Sequence, residues 1–176
     1  GSTRSRTLKI VKELCARGTT PVAPHISCIG DDKHEVAELL DLYKSLGINR
    51  LVALRGDLAS GQVGMGELPF ALDLVKFIRE YSGDHFHIEV AAYPEMHPQA
   101  KSFLFDIDNL VNKYKAGANA SITQFFYNAD SYLYLRDALE QHGIDTNAQP
   151  LVAGIMPITN SSNLLRFADS CGADIP

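Results

Sequence analysis

The chain has 176 residues, a length that fits one domain, and 45% of them are hydrophobic, enough for a sizeable core. Sixteen Lys and Arg against twenty-one Asp and Glu leave a net charge of −5 with no basic cluster, which argues against nucleic acid or an anionic membrane as a partner. The apolar runs are of strand length, so none reads as a bilayer span, and no signal peptide opens the chain.

Taken in order, Thr3 or Ser5 can cap a first helix with Leu8, Val11, Leu14 and Cys15 on its apolar face, closed by Gly18. Pro21 to Cys28 reads as a strand. Residues 32–46 read as a helix started by Asp31 and Asp32, lined by Val36, Leu39, Leu40 and Tyr43 and ended by Gly47. A strand over 50–55 comes next, then a loop over 58–66 too glycine-rich to be an element. The theme continues with helix 68–81, strand 86–92, helix 99–116, strand 120–126, helix 130–142, strand 150–156 and helix 161–171, and a further strand begins at Ala173. The opening Gly1-Ser2-Thr3, without Met, and the closing Asp174-Ile175-Pro176 read as cuts through a larger architecture. Cys15, Cys28 and Cys171 lack CxxC spacing and read as free thiols of a reducing cytoplasm.

The alternation repeats about every thirty residues, the length of a βα unit. Leu46-Gly47-Ile48-Asn49 is echoed by Ala116-Gly117-Ala118-Asn119, with glycine closing each helix before the next strand. Strict alternation implies a parallel sheet with right-handed crossovers. Two α/β architectures fit: a doubly wound open sheet, or a (β/α)8 TIM barrel that is incomplete here, since a whole barrel takes about 250 residues. Polar residues mark nearly every strand end, whereas a doubly wound sheet gathers its site at one switch point, and no GxGxxG follows the first strand. The barrel is favoured, with the chain as a single catalytic domain.

Charged and polar groups gather at those strand ends: Ala23-Pro24-His25, Leu54-Arg55-Gly56-Asp57, Ala92-Tyr93-Pro94-Glu95, Thr123-Gln124-Phe125 and Ile155-Met156-Pro157. The C-terminal edge of a parallel sheet is where ligands bind. Together with His97 they offer a cation, hydrogen-bonding groups and aromatic surface, a set that suits a flat, polar, phosphate-bearing cofactor. Asp106, Asn109 and Lys113 stand at i, i+3 and i+7 on one helix face; read alone, such a stripe is a solvated surface. A lone His25 beside Pro24 reads as structural. Glu95-Met96-His97 lacks the partners of a metal site, the glycines at 61, 64 and 66 lack the Lys-Ser/Thr of a P-loop, and no nucleophile motif occurs.

In series these strand ends are far more specific. Their order, with Ala91-Ala92-Tyr93-Pro94-Glu95 through His97-Pro98, Ile122-Thr123-Gln124-Phe125-Phe126 and Gly154-Ile155-Met156-Pro157-Ile158, resembles that of the methylenetetrahydrofolate reductase family across essentially the whole chain. The resemblance implies a TIM barrel that binds FAD at its C-terminal mouth. It also implies reduction of 5,10-methylenetetrahydrofolate to 5-methyltetrahydrofolate by ping-pong hydride transfer from NADH or NADPH, feeding methionine synthesis. It further implies a cytoplasmic protein that is a homo-oligomer at full length. By resemblance, His25, Arg55, Gly56, Asp57, Ala91, Tyr93 and His97 contact the flavin, and Asp106, Asn109 and Lys113 hold its ribose and diphosphate. Asp57 is the catalytic carboxylate, its charge disfavouring an anionic flavin and favouring a cationic folate iminium. Gln124 hydrogen-bonds the pterin, and Phe167 packs on folate or nicotinamide.

Four positions depart from the family pattern. Asn112 replaces a basic residue, Phe70 a tyrosine, Asn163 a glutamine and Ala153 a proline. The family's general-acid glutamate falls on a strand before Gly1, and Glu95 is not its substitute, because the matching motif has its own glutamate there. Two other readings compete. A flavin-free barrel lyase would call for a strand lysine, which is lacking. A non-catalytic binding domain would leave strand edges unpaired.

Overall fold

The computed structural model describes residues 4–56 and 64–175, in which six helices and five strands alternate. They are α1 (Arg4–Arg17), β1 (His25–Ser27), α2 (Lys33–Ser45), β2 (Arg50–Leu54), α3 (Ala71–Ser82), β3 (His87–Ala92), α4 (Phe103–Lys115), β4 (Ala120–Thr123), α5 (Ala129–Gln141), β5 (Leu151–Val152) and α6 (Ser161–Cys171). The strand order is β1-β2-β3-β4-β5, the order of the sequence. An order without reversal is that of successive (β/α)8 units; a doubly wound sheet reverses at its switch point. The fold is α/β, as an incomplete barrel requires.

The chain divides into two compact units, Gly1–Glu89 and Val90–Pro176, with the boundary inside β3. In the first, β1 pairs in parallel with β2, His25 opposite Val52 and Ser27 opposite Leu54. Asp32 caps α2 by accepting from the Glu35 N–H, while Glu35 accepts from the Asp32 N–H, a reciprocal pair that fixes where the helix starts. Its buried face is Val36, Leu39, Leu40 and Tyr43, as the spacing predicts. Leu74, Val75 and Ile78 of α3 and Leu51, Val52 and Ala53 of β2 are buried too, and α3 packs against both β2 and α2. Helix α1 is less embedded than its pattern suggests: of Leu8, Val11, Leu14 and Cys15, only Val11 is buried.

In the second unit, β4 and β5 run parallel, Ser121 opposite Leu151. The end of β3 lies beside β4, since the Gln124 N–H donates to the Ala92 carbonyl at 2.8 Å. Ile107, Leu110, Val111 and Tyr114 form the buried face of α4, which packs on α5, whose buried residues are Leu135, Ala138 and Leu139. A second apolar cluster joins Phe125 to Leu164 and Ala168 of α6, with Tyr127, Met156, Cys171, Ala173 and Ile175 around it.

Several boundaries differ from expectation. β1 starts at His25 and not at Pro21, because Pro21 and Pro24 have no N–H to give a ladder; Pro24 only accepts, from the Val52 N–H. β4 and β5 stop at Thr123 and Val152, since Phe125 and Met156 pack into the α6 cluster instead of continuing the sheet. α3 and α4 begin at Ala71 and Phe103, and Ser102 caps α4 by accepting from the Phe105 N–H. Ala173 starts no strand among the described residues. Thr3 lies outside them, and Ser5 is inside α1 and not its cap.

Candidate active site

A small notch carrying charged groups lies in the second unit, where β3 ends beside α4. It is half-open and lined by Ala91, Ala92, Tyr93, Phe103, Asp106, Ile107, Leu110, Lys113 and Leu135. The Lys113 Nζ donates to the Ala91 carbonyl at 2.7 Å. Burial of the ammonium pushes its pKa down from 10.5 to about 8, with the Asp106 carboxylate opposing the shift. Asp106 Oδ2 accepts from the His97 N–H at 2.8 Å and so ties the loop after β3 to the first turn of α4. His97 Nδ1 accepts from the Gln99 N–H at 3.0 Å, which fixes the neutral ring with its proton on Nε2. Tyr93 and His97 meet edge to face, their centroids 4.5 Å apart.

The stripe of Asp106, Asn109 and Lys113 is therefore not a solvated face: all three are partly buried, Lys113 meets the end of β3 and Asp106 the loop after it. The apolar lining from Phe103, Ile107 and Leu110 was not singled out from sequence, although it stands at helical spacing beside the stripe. Gln124 follows β4, half-buried, with its Oε1 accepting from the Phe125 N–H. Phe167 sits on α6, 53% exposed, and is not part of the notch lining.

In the first unit, Arg55 and Gly56 follow β2, and the Arg55 carbonyl accepts from the N–H groups of Cys28 and Ile29. Gly56 has φ +80°, and a Cβ there would lie 2.8 Å from the Ser27 Cβ, so only glycine lets the two strand ends approach this closely. Buried Cys28 directs its thiol at the Leu54 carbonyl, and burial pushes its pKa up to about 11, leaving an inert thiol. His25 opens β1 and does not close it as the strand over 21–28 suggests; it lies level with Val52 and is exposed. Asp57 lies outside the described residues. Among the described residues no group of three or more His, Cys, Asp or Glu could hold a metal, and no helix is long and apolar enough to cross a membrane.

The family model for methylenetetrahydrofolate reductase matches residues 1–176. The chain belongs to the methylenetetrahydrofolate reductase family. The 5,10-methylenetetrahydrofolate reductase of Pectobacterium carotovorum subsp. carotovorum is 43% identical over 98% of this chain and 56% of its own length. That of Escherichia coli (strain K12) is 42% identical over the same shares. Methylenetetrahydrofolate reductase (NADH) 1 of Arabidopsis thaliana is 36% identical over 100% of this chain and 31% of its own. The chain thus spans about half the length of its bacterial relatives. A solved structure, an uncharacterised protein from Clostridium thermocellum that binds two copies of 5-methyl-5,6,7,8-tetrahydrofolic acid, superposes with a TM-score of 0.61 at 18% identity, over 90% of this chain and 51% of that chain. A likeness at that identity shows the fold alone.

Asn112, Ala153, Phe70 and Asn163 all lie among the described residues. Asn112 is exposed on α4, and Ala153 is exposed after β5. Phe70 precedes α3 with its ring 53% exposed, and Asn163 accepts from the Arg166 guanidinium at 2.7 Å.

Proposed function

We propose that this chain carries the flavin- and folate-binding part of an enzyme that reduces 5,10-methylenetetrahydrofolate to 5-methyltetrahydrofolate with NADH or NADPH. One observation carries the reading: in a chain of this family, the polar stripe of α4 turns inward, with Lys113 held at the end of β3 and Asp106 at the loop after it. The donor set suits one half of FAD. Lys113 offers a cation for a phosphate, Asp106 an acceptor for ribose hydroxyls, and the Tyr93 and His97 rings offer flat apolar surface.

When bound, a flavin supplies a two-electron hydride relay between nicotinamide and folate. The chain's own residues do the rest. Ala91, Asn109, Arg55, Gly56 and His25 complete the cofactor contacts in this reading. Gln124 offers an amide to the pterin, and Phe167 offers a ring to stack on folate or nicotinamide. Asp57 holds a negative charge that favours the cationic iminium form of the folate.

The test is single-turnover kinetics of an Asp57→Asn variant of the full-length protein. The folate half-reaction should slow by at least about tenfold more than the NADH half-reaction. Equal slowing of both would contradict the role.

A further inference from the structure

We propose that Glu95 is a positioning residue that seats α6, and with it Phe167, against the loop after β3. Three observations meet there. Glu95 Oε2 accepts from the Asp174 N–H at 2.7 Å, across 79 residues of sequence, and Oε1 takes a longer contact of 3.5 Å from the Ser131 hydroxyl. Met96 takes a φ of +86°, a strained value for a residue with a side chain. The Met96 carbonyl and the Pro98 ring stand 3.2 Å from where a Cβ on Gly172 would lie, so the glycine ending α6 in the left-handed region lets the two segments close up.

The end of α6 and the segment after it are held on alternate residues. Cys171, Ala173 and Ile175 pack on the Phe125–Leu164–Ala168 cluster, and Glu95 takes the backbone of Asp174 between them. One face of α6 is fixed by Leu164 and Ala168, its far end by Glu95, and Phe167 lies exposed between those anchors. The loop holding Glu95 is itself pinned to α4, because Asp106 accepts from the His97 N–H. A carboxylate accepting from a backbone N–H makes a charge-assisted bond, stronger than a neutral one. Glu95 thus links the loop of the cofactor notch to the helix that carries the stacking ring. Glu95 acts through α6.

The inference rests on the reading of Phe167 as a substrate-stacking ring, and its test separates the two. In the full-length protein, Glu95→Ala should raise the KM for methylenetetrahydrofolate about tenfold while kcat changes less. It should also speed hydrogen exchange across residues 161–175 and leave the FAD dissociation constant within about twofold. Glu95→Gln keeps an acceptor for the Asp174 N–H and should restore both KM and exchange. Glu95→Ala added to Phe167→Ala should cost little beyond Phe167→Ala alone, since the ring it seats is gone. An unchanged KM and exchange rate in Glu95→Ala would overturn the proposal, as would equal damage in Glu95→Gln or an equal loss of FAD affinity. Wild-type protein that neither binds FAD nor turns over folate would overturn the functional reading instead, and the exchange comparison would still decide whether Glu95 seats the helix.

Discussion

The Lys113 Nζ and the Ala91 carbonyl oxygen stand 2.7 Å apart, so a helix cation closes on the end of a strand and not on solvent. A neutral carbonyl compensates a buried ammonium only partly, and the depressed pKa of Lys113, about 8, records what is left over. An anionic ligand would supply the missing charge. Lys113→Met keeps the length of the stem without the charge. It should weaken FAD binding by about 1.5–3 kcal/mol, the worth of a hydrogen bond to a charged group. The melting point of the FAD-free protein should move little, because losing the bond also removes the cost of burying the ammonium. Flavin fluorescence titration and thermal melts of the two proteins check both statements.

The same lysine gives a pH dependence with a definite sign. Its folded pKa, about 8, lies below the ordinary 10.5, so the unfolded chain binds the proton more tightly. The stability this group contributes is full above 10.5 and is lost as pH falls to about 8. Tyr43 and Tyr114, both pushed up by burial, act in the opposite sense at high pH. The clean observable is therefore the difference between wild type and Lys113→Met, which should grow in favour of wild type from pH 8 upward. Binding has the reverse sign. Affinity for FAD should fall as pH rises past about 8, with proton uptake that appears as a buffer-dependent heat in calorimetry.

Legibility followed locality. Asp32, Glu35 and Gly47 announce α2 because a cap, its partner and a left-handed closing glycine lie within a few residues of the helix they bound. The ends of β4 and β5 are not legible because Phe125 and Met156 look like strand continuation until α6 offers them a different core. His25 looked like a strand end for a similar reason, since the apolar run hides the donors that Pro21 and Pro24 lack. The inward turn of Asp106 and Lys113 depends on the end of β3 and is invisible in the helix's own spacing; only the family resemblance pointed to it. Glu95 and Asp174 are too far apart in sequence for any local pattern to join them.

At the base of the first unit, Arg50 pairs with Glu89, which is 7% exposed, and His87 lies 3.8 Å from the same carboxylate oxygen. The Arg50 side chain is half exposed, which screens the pair. Arg50→Ala would nonetheless leave a buried carboxylate without its guanidinium. It should destabilise the protein by about 1–3 kcal/mol. Urea unfolding at neutral pH measures it, and a lowered midpoint with an unchanged slope is the expected form.

Gly154 leaves no room for a side chain. Its N–H donates to the Thr123 hydroxyl at 2.8 Å, and a Cβ would lie 2.0 Å from the Thr123 carbonyl oxygen. The clash is with backbone, so no rotamer relieves it. Gly154→Ala should cost about 1–3 kcal/mol or more. Circular dichroism melts would show the loss, and a melt equal to wild type would contradict the close approach of the β4 and β5 ends.

Whether the full-length protein is a flavin-dependent folate reductase is decided by its visible absorption spectrum. The expected result is a flavin spectrum that bleaches on addition of NADH or NADPH and recovers on addition of methylenetetrahydrofolate. A colourless protein that takes up no FAD on reconstitution would contradict it.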